Sequence, residues 1–240
     1  FDSNNPKRWT DDKAQWMNAE YIRTMPLAEL LPHVKTELKS AKLWREEYEP
    51  DGRALTATIP STEAQAFESS TEMSDRPEAI AIGPLEVGSY DWYVRTIDLI
   101  RARFFTLKDF STQGRAYFSE DFDFDPTAVE KNLNKFPDLK TWLPELADRF
   151  EAEFADELQK PAPEQGRNPQ LSPKTFSEAN IETVVKAFTE EKGTKLGIIM
   201  NGARTLLTGV AVGPSMLSVF EVIGLERTLM RLRSRVAWND

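Results

Sequence analysis

Cysteine is absent from the 240 residues, and histidine occurs once, at His33. Without thiols there is no disulfide, no thiolate zinc site and no cysteine nucleophile. A lone histidine removes His-pair metal sites and weighs against Ser-His-Asp chemistry. His33 follows Leu30-Leu31-Pro32 in a helical pattern and reads as a helix-surface residue. No apolar run approaches the ~20 residues that a membrane-spanning helix needs, so a soluble protein is expected. Nor is there a Gly-x-x-x-x-Gly-Lys or Gly-x-Gly-x-x-Gly loop to cradle phosphates. The chain opens at Phe1 with neither methionine nor a basic, apolar leader, and so reads as a piece of a longer protein.

What is present is ordinary globular composition, 40% hydrophobic and 29% charged, with a formal net charge of -9. That size and apolar content suffice for one large or two modest domains with real cores. The acidity is uneven. From Lys195 to Arg235 there are six basic residues (Lys195, Arg204, Arg227, Arg231, Arg233, Arg235) against two acids (Glu221, Glu226), a local excess of +4. Glycines punctuate the same stretch at Gly197, Gly209, Gly213 and Gly224. A cationic, helix-walled surface for an anionic partner is the natural reading.

Helical periodicity dominates elsewhere. Asp11 to Met25 carries Trp16, Met17, Tyr21 and Ile22, with an N-cap at Thr10-Asp11 and a stop at Pro26. Leu27 to about Ser40 places Leu30, Leu31, Val34 and Leu38 on one stripe. Glu46 to Ser89 departs from this pattern: Ala54 to Ile59 alternates at period two and Ala79 to Ile82 offers a partner, so residues 53–83 are expected to form a small β-hairpin or a loop. Helices resume at Tyr90 and again over Asp109 to Phe118, ending in the acidic turn from Glu120 to Pro126. That turn lacks the mid-loop glycine and terminal glutamate of a calcium loop, and is expected to be solvated. Leu139 to Leu158 is amphipathic, with Glu145, Asp148, Glu151, Glu153, Asp156 and Glu157 on a face that repels phosphate. Pro161 to Pro173 reads as a linker, Thr175-x-x-Glu178 as a capping box, Gly193 as a helix stop, and Gly213-Pro214 as opening a helix that Gly224 closes. Trp16, Trp92 and Trp142 are expected in the core. Short connections imply antiparallel neighbours: an all-α helical bundle or superhelical cage.

Four blocks stand in this order along the chain: Trp16-Met17-Asn18-Ala19-Glu20-Tyr21-Ile22-Arg23, Arg101-Ala102-Arg103-Phe104-Phe105-Thr106-Leu107-Lys108-Asp109, Ala116-Tyr117-Phe118-Ser119-Glu120-Asp121-Phe122, and Arg204-Thr205-Leu206-Leu207-Thr208-Gly209 with Gly213-Pro214 and Gly224-Leu225-Glu226-Arg227. Together they resemble the carboxyl-terminal part of bacterial glutamyl-tRNA synthetases, class I enzymes that charge tRNA(Glu) with glutamate. The resemblance implies an anticodon-binding cage. It divides the chain into the end of a stem-contact region (1–45), an insertion (46–89), a first anticodon-binding subdomain (90–160), a linker (161–174) and a second subdomain (175–240). It also implies that Arg204 reads the middle anticodon base with help from Asn201, that Pro214 and Met216 lie against the first base, and that Lys186 contacts the backbone. Arg103 would decide the third base, with Arg101 two residues away as its rival.

The same resemblance places ATP and Mg in a catalytic domain that precedes this region, since the His-Ile-Gly-His element and Lys-x-Ser-Lys loop of the family are missing here. This stretch alone is then expected to catalyse nothing and to hold no cofactor or metal; the cysteine-based zinc site of some members is excluded. The expected partners are tRNA(Glu) and that catalytic domain, in a cytoplasmic, monomeric protein. Read without the resemblance, Arg204 also suits a helix cap or a carboxylate pair, Arg101 and Arg103 suit pairing with Asp98 or Asp109, and the last arginines suit a helix C-terminus. The rival from another class is a helical protein-interaction module with an apolar peptide groove.

Overall fold

The computed structural model describes residues 12–50, 86–158 and 175–238, and these are helical with no strand among them. The expected hairpin at 53–83, the Thr10-Asp11 cap and the 161–174 linker lie outside the described residues. The helices are α1 (Asp12–Thr24), α2 (Leu27–Ser40), α3 (Tyr90–Arg101), α4 (Arg115–Phe118), α5 (Pro126–Val129), α6 (Leu139–Glu153), α7 (Ala155–Leu158), α8 (Glu178–Glu191), α9 (Leu196–Thr208), α10 (Met216–Ile223) and α11 (Leu225–Arg233).

Each long helix buries one face. α2 turns Leu30, Leu31, Val34 and Leu38 inward, and α3 does so with Trp92, Tyr93, Thr96, Ile97 and Ile100. Ser89 caps α3 by accepting from the Trp92 amide, satisfying one of the unpaired first-turn donors. The apolar cluster runs without a break from Ile22 to Trp238. α6 packs along α11 and also against α8 and α9, so the helices on either side of the expected 161–174 division share one core. Tyr48, 2% exposed and stacked on Tyr93, draws Glu46–Tyr48 into that core, so the inserted stretch departs later than its composition suggests.

Five local expectations are corrected. Asp109 to Phe118 is not one helix, since a short turn of helix ends at Phe110 and α4 begins only at Arg115. Thr175 forms no capping box; α8 starts at Glu178, because Phe176 is buried against Phe150 and Phe154, and its amide donates to Glu157 at 2.6 Å. α10 starts at Met216 rather than Pro214, which remains in the preceding loop. Trp16 is 63% exposed, whereas Trp92 is buried with Nε1 donating to the Val222 carbonyl. The acidic turn is only partly solvated, since Glu120 receives Arg227 and Arg231. Gly209 ends α9 with φ 74°, and a Cβ there would stand 2.2 Å from the Asp123 carbonyl oxygen, so glycine alone fits this closure.

Candidate nucleic-acid interface

A hollow of about 450 Å³ opens between α1, the end of α3, α4 and the loop from α9 to α10. α1 contributes Trp16 and Arg23, and Asn18 Nδ2 anchors that helix by donating to the Phe105 carbonyl. After α3 the chain turns sharply through Arg103, Phe104 and Phe105. Asp109 fixes that turn by accepting from the Phe105 and Thr106 amides, both at 2.8 Å. Phe104 is drawn inward onto Phe110, which leaves Arg103 and Phe105 facing out. The opposite wall is Gly213-Pro214.

Arg204 reaches this wall from α9. A Cβ on Gly213 would lie 2.8 Å from Arg204 Nη1, so the guanidinium rests across the glycine. The side chain is half-buried, and among the described residues no acceptor or carboxylate is bonded to it. Burial lowers the Arg204 pKa from its ordinary value; the Tyr117 hydroxyl opposes that shift and the Arg103 charge adds to it. Arginine stays protonated regardless, so Arg103 and Arg204 face one hollow whose one lining carboxylate among the described residues, Glu20, is engaged by another arginine. Arg23 is the third cation, paired with Glu20. Trp16, Phe105 and Val212 are exposed at 63, 49 and 73%. Cations beside exposed aromatic faces suit single-stranded nucleic acid, where phosphates meet charge and unstacked bases meet rings.

The residues singled out from sequence do not all gather here. Arg103 and Pro214 line the hollow and Arg204 abuts it. Asn201 is exposed one helical turn before Arg204, on the same side of α9 but not in the lining. Lys186 is exposed on α8 and paired with Glu182. Arg101 turns away, donating to the Met25 carbonyl at 2.8 Å and pairing with Asp98. Met216 is 5% exposed, so its side chain is core and offers no surface to a base. Sequence reasoning missed Arg23 and Phe105 as members of the hollow, although both lie inside quoted blocks. It also read Arg227 and Arg231 as surface, whereas both bond inward to main-chain carbonyls; Arg233 is exposed and pairs with Asp148 and Glu151 at the surface.

The family model described as "Anticodon binding domain" matches residues 62–162 and 168–236. The chain belongs to the anticodon-binding domain family. Curated relatives agree with the four-block resemblance. The glutamate–tRNA ligase of Desulfotalea psychrophila is 36% identical over 95% of this chain and 35% of its own length, and glutamate–tRNA ligase 2 of Koribacter versatilis is 31% identical over 92% and 33%. This anticodon-binding domain therefore spans about a third of the length of the relatives it matches. A crystal structure of a glutamate tRNA ligase from Elizabethkingia meningosepticum shares the fold, with a TM-score of 0.55 and 21% identity over 93% of this chain and 31% of that one. Among the described residues no helix is long and apolar enough to cross a membrane, and no group of three acidic or histidine side chains is placed to hold a metal ion.

Proposed function

We propose that this chain binds tRNA(Glu) and reads its anticodon for a glutamate–tRNA ligase. The observation that carries the reading is the convergence of Arg103 and Arg204, neither neutralised within the protein, on a hollow flanked by Pro214 and exposed aromatic rings. A planar guanidinium can hold a base edge or a phosphate bidentately, and a half-buried one without an internal acceptor is set to accept such a partner. In this reading Arg204 takes the middle anticodon base and Arg103 the third. Asn201, one turn before Arg204, assists it, Lys186 contacts the RNA backbone, and Pro214 supports the first base through its ring and main chain.

Residues 1–45 serve as the end of the stem-contact region, with the stretches 90–160 and 175–240 forming the anticodon-binding helices. Glutamate activation, ATP and Mg belong to the remainder of such a ligase, and no step of this chain's role uses them. The protein is assigned to the cytoplasm as a monomer. An apolar peptide groove is disfavoured by the unbalanced charge of Arg103 and Arg204, which a peptide side chain would have to desolvate.

The test is binding of the anticodon hairpin of tRNA(Glu), and of the same hairpin with its middle anticodon base exchanged, to the 240-residue chain. Arg204→Ala should weaken the cognate hairpin by about 1–3 kcal/mol and erase the preference between the two. Unchanged affinity and preference would remove Arg204 from the site.

A further inference from the structure

Arg231 of α11 is 4% exposed and carries a charge that must be met inside the protein. Its Nε and Nη2 donate to the Glu120 carboxylate at 2.9 and 3.0 Å. Nη2 also donates to the carbonyls of Ala116 and Ser119, at 2.9 and 3.1 Å, and Nη1 to the carbonyl of Leu207. The guanidinium lies 4.6 Å from the Phe122 ring. Arg227, one turn earlier, donates to Glu120, Tyr117 and Ala116 as well.

One side chain thus joins two separate walls of the hollow from behind. Leu207 lies in the last turn of α9, three residues after Arg204, where carbonyls lack intrahelical partners. Ala116 and Ser119 bracket Tyr117, whose hydroxyl lies in the field of both Arg204 and Arg231. We infer that Arg231 is a positioning residue for RNA recognition: without touching RNA, it clamps the end of α9 to α4 and so fixes where the Arg204 guanidinium and the Gly213-Pro214 loop stand relative to Arg103. Only arginine suits the post, since its rigid fork reaches three carbonyls and a carboxylate at once, whereas lysine offers three donors from a single point. The clamp is geometry on its own account; its use in anticodon reading rests on the function proposed above.

The decisive variant is Arg231→Lys, which keeps the charge and loses the fork. At a temperature where the variant is folded, amide hydrogen exchange over residues 204–214 should quicken. Binding of the tRNA(Glu) anticodon hairpin should weaken about tenfold, and the preference over the middle-base exchange should shrink, as expected when a site is present but loosely held. The dependence of binding on salt should keep its wild-type slope, since no phosphate contact is lost. Wild-type exchange and preference would overturn the inference, as would a slope reduced by about one, which marks a direct phosphate contact. Should Arg231→Lys not fold, Glu120→Gln decides: a smaller change of the same pattern supports the clamp, and no change overturns it. If the wild-type chain prefers neither hairpin, the proposed function fails while the exchange data still judge the clamp.

Discussion

Arg204 is half-buried and has no hydrogen bond or ion pair among the described residues, whereas Arg231 is buried and saturated, and in the proposed reading that difference separates binding from architecture. A guanidinium partly withdrawn from water and unpaired within the protein keeps its donors available to a ligand. The same logic favours Arg103 over Arg101 for the proposed contact. Arg101 spends its donors on Met25 and Asp98, while Arg103 faces the hollow with no hydrogen bond or ion pair among the described residues. From sequence the family match pointed to Arg103 and left Arg101 as its rival, because which arginine meets a carbonyl depends on how the α1–α2 junction packs against α3. Gly213 makes the argument testable without touching a charge. A methyl group there would meet only the mobile end of Arg204, so Gly213→Ala should alter stability by no more than about 0.5 kcal/mol. It should nonetheless swing the guanidinium away and weaken hairpin binding several-fold; thermal unfolding and fluorescence titration on the same samples would show stability and affinity parting company.

At the scale of elements, apolar periodicity made α2 legible to its ends, since local burial alone decides it, whereas α3 buries Tyr93 and Thr96 beside Trp92, Ile97 and Ile100, a face that apolar spacing alone does not mark. Polar patterning was read less well. The acidic face of α6 is exposed, as its patterning implies, but it also carries partners that patterning does not show: Asp148 and Glu151 hold Arg233, and Lys192 of the loop after α8 meets Glu145. Likewise the turn after α4 recruits Arg227 and Arg231. Acidic and basic runs far apart in sequence were each counted as surfaces, although their commonest partner was the other. Glu120 carries the consequence for pH. Burial would raise its pKa, but hydrogen bonds and charge from Arg231 and Arg227 outweigh that and hold it below the ordinary value near 4.5. A depressed carboxylate contributes stability that is full above the unfolded pKa and is lost as pH falls through the folded one. Urea unfolding between about pH 6 and pH 3 should therefore show wild type losing its advantage over Glu120→Gln as the acid end is approached. Parallel pH profiles for the two proteins would mean that Glu120 is already released to water.

For the molecule as a whole, a chain of net charge -9 is proposed to bind a polyanion, and the resolution lies in where the charges stand. The acidic residues of α6 and the turn after α4 are largely occupied by basic partners, whereas the hollow gathers Arg23, Arg103 and Arg204 against one carboxylate, Glu20. Over distances shorter than the ~8 Å screening length at physiological salt, that local excess governs a bound phosphate, and the distant acids are screened. Binding should then scale with the few cations in the hollow rather than with net charge. With about three phosphates neutralised, the slope of log K against log salt should be near −2 for single-stranded RNA, so raising salt from about 50 to 200 mM costs roughly twentyfold in affinity. A peptide seated in an apolar groove would be nearly indifferent to the same change. A flat salt profile for the anticodon hairpin would place the contacts on the exposed rings of Trp16 and Phe105 and leave Arg103 and Arg204 without an anion to hold.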